Sequence, residues 1–390
     1  MARLNILHLT TFLQGGAGRA VVDLACAQHA AGNRVTVVTS RTNQEAFGNY
    51  PDYLDRLRSA GITLYTCDSL FSRDAALNMR VVGMLSRSVD VTAVDIIHAH
   101  AAVPAFIGEQ FAAGARQRIG LIQTQHGWGT NKTSQQAAFD IGMLTRVDRI
   151  VTTSCATAEQ LASFGAPRQS TVVIPCGLPV RDPGQPPAGT AVEARRTNGT
   201  RIVGCIGSVT ANKNQKLLVE ALRSIPDLSI VVAFVGEGGD TLLEYARALG
   251  VEDRVVICGY QPDASRWLPL FDLLIVPSRT EGQGLVVLEA FRARVPVVAS
   301  DIPALRELIE SGRHGFLFRG ESAPALAGAI QQALSLTNAG RDAVVSAARR
   351  RFEADFTIEQ MVERHERLYR KVVERRRAVA LPKAQRTGRR

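Results

Sequence analysis

The sequence predicts an α/β protein with two Rossmann-like domains of similar size whose ligand-binding ends share a cleft. Three observations carry this. Short apolar strands that end in glycine or polar loops and lead into amphipathic helices recur along both halves, the pattern of parallel sheets. A proline- and glycine-rich stretch with few large apolar residues separates the halves at 178–200. At 390 residues the chain is long for a single hydrophobic core. The expected domains are 1–177 and 201–356, followed by a helix over 357–378 and a basic tail over 379–390.

The first half opens on an apolar strand, Leu4–Leu9. A loop over Thr10–Gly18 contains Gly15 and Gly16, and an amphipathic helix runs from Arg19 to Ala31, stopped by Gly32. Val35–Thr39 is the next strand. Such a β–loop–α–β unit places ligands at the carboxyl ends of its strands. The glycine spacing is not G-x-G-x-x-G, and no ribose-binding acid follows the second strand, which disfavours a dinucleotide dehydrogenase. The loop reads as a phosphate cradle or as a tight turn. Ile62–Tyr65 and Asp95–His98 are further strands, with a helix near Asp74–Arg87. His98 and His100 stand at i, i+2 and share one face if the strand continues. No third ligand is apparent nearby, so structural histidines are the commoner outcome and a metal pair the rarer one. Gly120–Gln125 runs into His126-Gly127-Trp128-Gly129, where the histidine touches a ligand or caps a turn. Asp148–Thr153, a helix to Phe164, and Thr171–Ile174 complete the sheet.

Arg201–Ile206 restarts the pattern. Gly207–Lys213 leads into a helix from about Gln215 to Ser224. A lysine at a glycine-flanked helix start is a natural phosphate partner, because that end offers free N–H groups and partial positive charge. A solvated surface lysine is the alternative. Ser229–Val235 ends at Gly236, and Arg254–Cys258 ends at Gly259, Tyr260 and Gln261; each end reads as a ligand loop or as a plain turn. The strand Leu273–Ser278 then enters the most informative stretch, VPSRTEGQGLVVLEAFRARVPVVASD, from Val276 to Asp301. It turns at Thr280–Gly284, forms a helix with Leu285, Leu288 and Phe291 apolar, and closes on the strand Val295–Ala299. Glu281 is expected at the mouth of the strand and Glu289 two turns into the helix, facing roughly the same way. Gly282 and Gly284 strip side chains from the helix start, so a phosphate or a hydroxyl can approach the backbone. Two carboxylates that accept hydrogen bonds from hydroxyls suit a polyhydroxy ligand joined to a phosphate; a solvated cap and a surface glutamate are the alternative. Phe316–Phe318 and helices near 323–336, 341–352 and 357–377 follow.

The run PSRTEGQGLVVLEA followed by PVVASDIPALRELI resembles the signature of nucleotide-sugar glycosyltransferases of family 4, which carry the two-Rossmann-domain GT-B fold. Weaker similarity extends through the first half: the glycine loop, the DIIHAH strand end and Pro175-Cys-Gly-Leu, where the family usually has I-P-N-G. The resemblance implies retaining transfer from a nucleotide-diphosphate sugar to a saccharide acceptor, with a final helix crossing back onto the first domain. It implies catalytic roles for Glu281, His126 and Lys213. It implies donor contacts from Gly15, Gly16, Ser208, Lys213, Gly236, Tyr260 and Gln261, and from Glu281, Gly282, Gly284, Leu285 and Glu289. His100, Trp128, Asn131 and Lys132 fall on the acceptor side. The sequence departs from the family at Ser208, where an arginine is usual, and at Gly18, where an acid is common. Serine cannot form arginine's bidentate fork on a diphosphate; Arg279, beside Glu281, is a candidate replacement. No D-x-D motif is present, so no metal and no cofactor beyond the nucleotide-sugar co-substrate is expected.

Composition narrows the setting. Six singly spaced cysteines form no C-x-x-C pair, so neither a zinc site nor a disulfide framework is expected, and a reducing cytoplasm fits. The start reads as a first strand rather than a signal peptide, and no apolar run has transmembrane length. The net charge is +10, of which seven positive charges lie in residues 375–390, a run not expected to pack. Relatives that extend lipid-linked glycans in lipopolysaccharide or capsule synthesis work at the cytoplasmic face of the inner membrane. The expected partners are therefore a nucleotide-sugar donor, a saccharide or lipid-linked acceptor and an anionic membrane surface, and no nucleic acid. Two other classes compete: a sugar-nucleotide epimerase or phosphorylase on the same fold, and a non-enzymatic basic binding module.

Overall fold

The structure is a computed structural model that describes residues 3–41, 47–115, 118–129, 132–196, 199–226 and 229–380. It divides into two compact units. One holds the chain up to Gly177 together with the last helix, and the other runs from Leu178 to Thr357.

The first unit is built on seven parallel strands: β1 (Asn5–Leu9), β2 (Arg34–Ser40), β3 (Thr63–Cys67), β4 (Ile96–Ala99), β5 (Gly120–Gln125), β6 (Arg149–Thr152) and β7 (Thr171–Val173). Their order is β3-β2-β1-β4-β5-β6-β7. The chain winds outward from β1 on one side, then returns and continues from β4 on the other. The second unit repeats this with β8 (Arg201–Ile206), β9 (Ile230–Val235), β10 (Val255–Gly259), β11 (Leu273–Val276), β12 (Val297–Ser300) and β13 (Phe316–Phe318), in the order β10-β9-β8-β11-β12-β13. Both are doubly wound sheets with helices on each face, so their central strands are buried on both sides. That explains the unbroken apolar run of β9, buried at every position.

Several elements differ from the sequence expectation. The segment read as the loop Thr10–Gly18 is shorter, because the helix spans Gly15–Ala30 and takes in Gly15, Gly16 and Gly18 as its first turn. A Cβ on Gly18 would come within 2.6 Å of the Leu13 backbone, so the helix can start this close to the strand end only on glycine. Helices at Pro51–Ser59, Ala102–Phe111, Ser134–Leu144 and Asp240–Ala248 were not anticipated. Ala102–Phe111 is apolar around most of its circumference and buried, so it lacks the amphipathic period that marks a surface helix. The stretch read as a linker is folded onto the second unit. Leu178 and Val192 are buried there, a capping box between Thr190 and Glu193 starts a short helix, and Arg196 donates to the Leu270 carbonyl.

The last helix, Ile358–Ala380, belongs to the first unit. Tyr369 is its anchor and is fully buried. Its hydroxyl lies 2.6 Å from His98 Nδ1 and receives a hydrogen bond from Gln28 Nε2 at 3.3 Å. Arg376 pairs with Asp148 at 2.5 Å and Arg377 with Asp95 at 3.0 Å. This corrects the expectation that the run from 375 onward does not pack: two of its arginines sit one helical turn or less beyond the anchored segment and find carboxylates at strand starts. The rest of the tail, 381–390, lies outside the described residues. Among the described residues, no helix is long and apolar enough to cross a membrane.

Burying histidines in this unit ties its stability to pH. Desolvation lowers His8 and His365 from 6.5 to about 4, since a buried imidazolium loses its hydration. Between pH 6.5 and about 4 the unfolded chain therefore takes up protons that the folded chain refuses. Stability is full above pH 6.5 and falls as pH drops through that window, by up to roughly 3 kcal/mol per such histidine. The two tryptophans fall one in each unit, Trp128 and Trp267. In a Trp267→Phe variant, the urea midpoint read from Trp128 fluorescence is expected to decline between pH 7 and pH 5. A flat midpoint over that range would mean these histidines are not held neutral.

Candidate functional site

A doubly wound sheet opens a crevice where neighbouring strands send their chain to opposite faces, and ligands bind there at the carboxyl ends. In the second unit that point lies between β8 and β11. The loop after β8 carries Ser208 and Lys213, and the loop after β11 carries Glu281, Gly282 and Gly284. The two loops are stapled together. Asn212 Nδ2 donates to the Thr280 carbonyl at 3.0 Å, and the Thr280 hydroxyl donates to Asn212 Oδ1 at 2.6 Å. The Arg279 amide donates to the Asn212 carbonyl at 2.8 Å. Within this clasp, Lys213 Nζ lies 2.7 Å from Glu281 Oε1, and the Ser278 hydroxyl donates to the same oxygen at 2.7 Å. The Glu281 carboxylate is nearly buried, whereas a third of the lysine side chain stays exposed. An ammonium has three donors, so one bond to Glu281 leaves capacity for a second anion.

Helix starts frame this pair. Asn214 caps Gln215–Arg223 and Gly284 caps Leu285–Arg292, both in the left-handed conformation, with φ of 52° and 95°. Leu285 and Glu289 stand in the second of these helices, with Glu289 half-buried one turn past its start. The neighbouring strand ends come unusually close. A Cβ on Gly236, whose φ is +153°, would lie 2.3 Å from the Gly207 carbonyl oxygen, so the loops after β8 and β9 meet backbone to backbone beside Ser208. The Gly236 amide in turn donates to the Gly259 carbonyl at 2.8 Å, which brings the end of β10 into the same row. Half-buried Tyr260 and Gln261 follow it, and Gln261 Nε2 is spent on the Cys258 carbonyl at 2.9 Å. Arg279 does not stand in for the missing cation at Ser208. Its guanidinium is held by Glu321, at 2.6 Å, and by the Ala211 carbonyl.

In the first unit the corresponding point lies between β1 and β4. Gly15 and Gly16 open the helix that follows β1, and Gly16 is exposed. The parallel register sets His8 directly beside His98. His100 follows just past β4, and half-buried His126 just past β5. His98 and His100 do share a face, with ring centroids 4.3 Å apart. The third neighbour that the sequence did not offer is His8, since one nitrogen from each of His8, His98 and His100 lies within 4.8 Å of the others. Every one of those six ring nitrogens already has a hydrogen-bond partner. His8 bonds His100 and Gln28, His98 bonds Thr124 and Tyr369, and His100 bonds His8 and His126. The cluster is thus satisfied without an ion. His100 also leaves the acceptor-side group, because its ring is buried with both nitrogens engaged and it reaches a ligand only through His126.

Trp128 and Lys132 do come together. Lys132 Nζ stands 3.6 Å above the indole ring and 2.6 Å from Asp140, and Phe164 packs against the same indole at 5.1 Å. Arg73 completes this group with a 2.7 Å bond to Asp140. Asn131 lies outside the described residues. Sequence reasoning missed His8, Gln28, Tyr369, Asn212, Thr280 and Ser278. Only His8 carried a signal, a polar residue in an otherwise apolar strand.

Comparison with known proteins matches both units. A family model described as Glycosyltransferase Family 4 matches residues 14–181, and one described as Glycosyl transferases group 1 matches residues 200–336. The chain is 30% identical over 264 residues to D-inositol 3-phosphate glycosyltransferase of Nocardia farcinica, covering 60% of this chain and 58% of that protein. It is 32% identical over 183 residues to the lipopolysaccharide core mannosyltransferase LpsB of Rhizobium meliloti, covering 44% of this chain and 50% of that one. The chain thus spans between half and three fifths of the length of these two relatives. Among solved structures, a glycosyltransferase of Rickettsia africae superposes with a TM-score of 0.80 at 19% identity, covering 96% of this chain and all of that one. Anabaena HepE in complex with UDP and glucose also gives 0.80, at 20% identity, over 95% of this chain and all of its own. These likenesses show the GT-B fold. With a family model matched on each side of the linker stretch and a shared two-sheet architecture, the chain belongs to the family 4, or group 1, glycosyltransferases.

Proposed function

We propose that this protein transfers a sugar from a nucleotide-diphosphate sugar to a saccharide acceptor, with retention of anomeric configuration. The observation that carries the reading is the Lys213–Glu281 contact at the switch point of the second sheet, framed by two helix starts. Relatives that carry names of this kind, and HepE with its bound UDP and glucose, support the direction of the inference. In our reading Glu289 accepts hydrogen bonds from the ribose hydroxyls, Lys213 meets the diphosphate, and Glu281 and His126 hold the transferred sugar. Retention on this plan has the acceptor hydroxyl attack the face that the diphosphate leaves. Charge accumulating on the leaving group is then the chief thing to stabilise, and preorganised donors do that best in a site that excludes water. Lys213 and backbone N–H groups at the helix starts are the donors available, and Ser208 adds one hydroxyl in place of an arginine fork.

The acceptor is proposed to be a lipid-linked glycan in lipopolysaccharide or other envelope polysaccharide synthesis, with the enzyme held peripherally at an anionic membrane. Support comes from the lipopolysaccharide core enzymes among the relatives and from Lys383, Arg386, Arg389 and Arg390 in the last ten residues, which contain no acid. Near an anionic leaflet each such cation contributes roughly 1 kcal/mol, screened by salt. Deleting 381–390 is expected to weaken binding to phosphatidylglycerol-containing vesicles at low salt while transfer to a soluble acceptor continues. Equal vesicle binding by both forms would remove the tail from the account.

The donor role is tested first by a thermal-shift screen against UDP-, GDP-, ADP- and CMP-sugars, followed by product analysis with and without acceptor. A sugar-nucleotide product formed without acceptor would favour an epimerase. Lys213→Ala is expected to raise the transfer barrier by about 2–4 kcal/mol, and unchanged turnover at saturating donor would refute its role. Glu281→Gln is expected to lower kcat, because it touches the moving sugar. Glu289→Gln should mainly raise the donor KM, because the ribose does not react; the reverse pattern would mean the nucleotide lies the other way round. Activity is expected to persist in EDTA, and loss restored by adding back a divalent ion would overturn the metal-independent reading.

A further inference from the structure

Six of the seven histidines of the chain lie in the first unit, and five of them gather in one cluster: His8, His98, His100, His126 and His365. Four of them join a single run of hydrogen bonds whose direction follows from chemistry. Gln28 Oε1 only accepts, so the hydrogen of the 2.8 Å contact sits on His8 Nε2. Burial keeps the imidazoles neutral, so His8 Nδ1 is an acceptor and takes a hydrogen from His100 Nε2 at 3.0 Å. His100 Nδ1 is then an acceptor too, and takes a hydrogen from His126 Nε2 at 3.1 Å. On the other side, Gln28 Nε2 donates to the Tyr369 hydroxyl, which passes its own hydrogen to His98 Nδ1. His98 Nε2 donates to the Thr124 hydroxyl at 2.6 Å. The run leaves β5 at His126, crosses β4, β1, the helix after β1 and the last helix, and returns to β5 at Thr124. All six bonds point one way, an arrangement in which neighbouring bonds polarise and strengthen one another.

We propose that His100, His8, Gln28 and Tyr369 act as a positioning relay that holds His126 in a single tautomer, with hydrogen on Nε2 and with Nδ1 left as the acceptor for a hydroxyl of the transferred sugar. This rests on the reading above that His126 touches that sugar. Which ring nitrogen carries the hydrogen is set by the bond the other one makes. An unconstrained imidazole would divide itself between offering a donor and offering an acceptor; the relay removes the choice. No partner for His126 Nδ1 is present among the described residues, and the residue is only half-buried. Glu366 on the last helix, whose charge acts on Tyr369, is occupied by Asn33 at 2.6 Å and by Arg370 at 3.3 Å. His365, also on that helix, bonds its own Met361 carbonyl and stays outside the run. Because Tyr369 supplies one link, the relay is complete only when the last helix is docked.

Imidazole nitrogen NMR of histidine-labelled protein tests this without any ligand, with His126 assigned from a His126→Ala variant. In the wild type, His126 is expected to show one protonated nitrogen, Nε2, unchanged from pH 7 to pH 5. His100→Leu removes the acceptor, so His126 should average two tautomers, while the burial that keeps it neutral from pH 7 to pH 5 is unchanged. In the same variant kcat should fall on the order of tenfold, with donor KM within about twofold. His100→Asn returns an oxygen near the place of Nδ1 and should restore both the spectrum and most of the turnover. If His100→Leu fails to fold by its urea profile, Gln28→Met, which takes the acceptor from His8, should give the same spectral change and Gln28→Glu should not. A wild-type His126 that already averages two tautomers, or leucine and asparagine variants that behave alike, would overturn the relay. Should His126→Ala lack activity while the tautomer is free, the relay alone fails. Should the tautomer be fixed while His126→Ala transfers sugar normally, the sugar contact fails, and the relay's purpose with it.

Discussion

A parallel sheet wound from its centre outward must reverse direction once, and at that reversal no crossover covers the carboxyl ends of the two central strands. This constraint organises both units. In the first it falls between β1 and β4, and in the second between β8 and β11. Among the described residues, the histidine run lies at the first of those places and the Lys213–Glu281 pair at the second. The polar residues that break the apolar pattern of the central strands, His8 and His98 above all, do so within one or two residues of the strand ends.

The two places solve the problem of burying polar groups differently. In the second unit the solution is local. The loops after β8 and β11 clasp each other through main-chain and short side-chain bonds, and the glycines at 207 and 236 let backbones meet where side chains would hold them apart. An ion pair there stays partly exposed on the lysine side, which keeps its desolvation cost modest. In the first unit the solution is distributed. The histidines are held neutral, and each ring nitrogen inside the sheet is satisfied by the next group in line, so no net charge is buried. The last helix is part of that solution, since Tyr369 supplies the link between Gln28 and His98.

The clasp leaves Lys213 as the cation at the switch point, because Arg279 is committed to Glu321 on the outside of the loop. The backbone geometry around Ser208 is set by Gly207 and Gly236 rather than by a side chain, so the loop keeps its form without the arginine.

The architecture was legible along the chain. Strand-sized apolar runs followed by amphipathic helices are local signals, and they located all thirteen strands to within about two residues. The residue types at the second-unit switch point were legible too, because Lys213 and the Glu281–Glu289 stretch lie on contiguous segments whose motif is written along the chain. Missed helices such as Ala102–Phe111 lacked the surface period that would have marked them, and the linker stretch hid its two burying residues, Leu178 and Val192, among prolines and polar groups. The company each side chain keeps is written nowhere along the chain and comes from packing. Lys213 and Glu281 are 68 residues apart, and Tyr369 and His98 are 271 apart. Those pairs exist because sheet order and register bring distant strand ends together, and register is a property of the packed sheet rather than of any one strand.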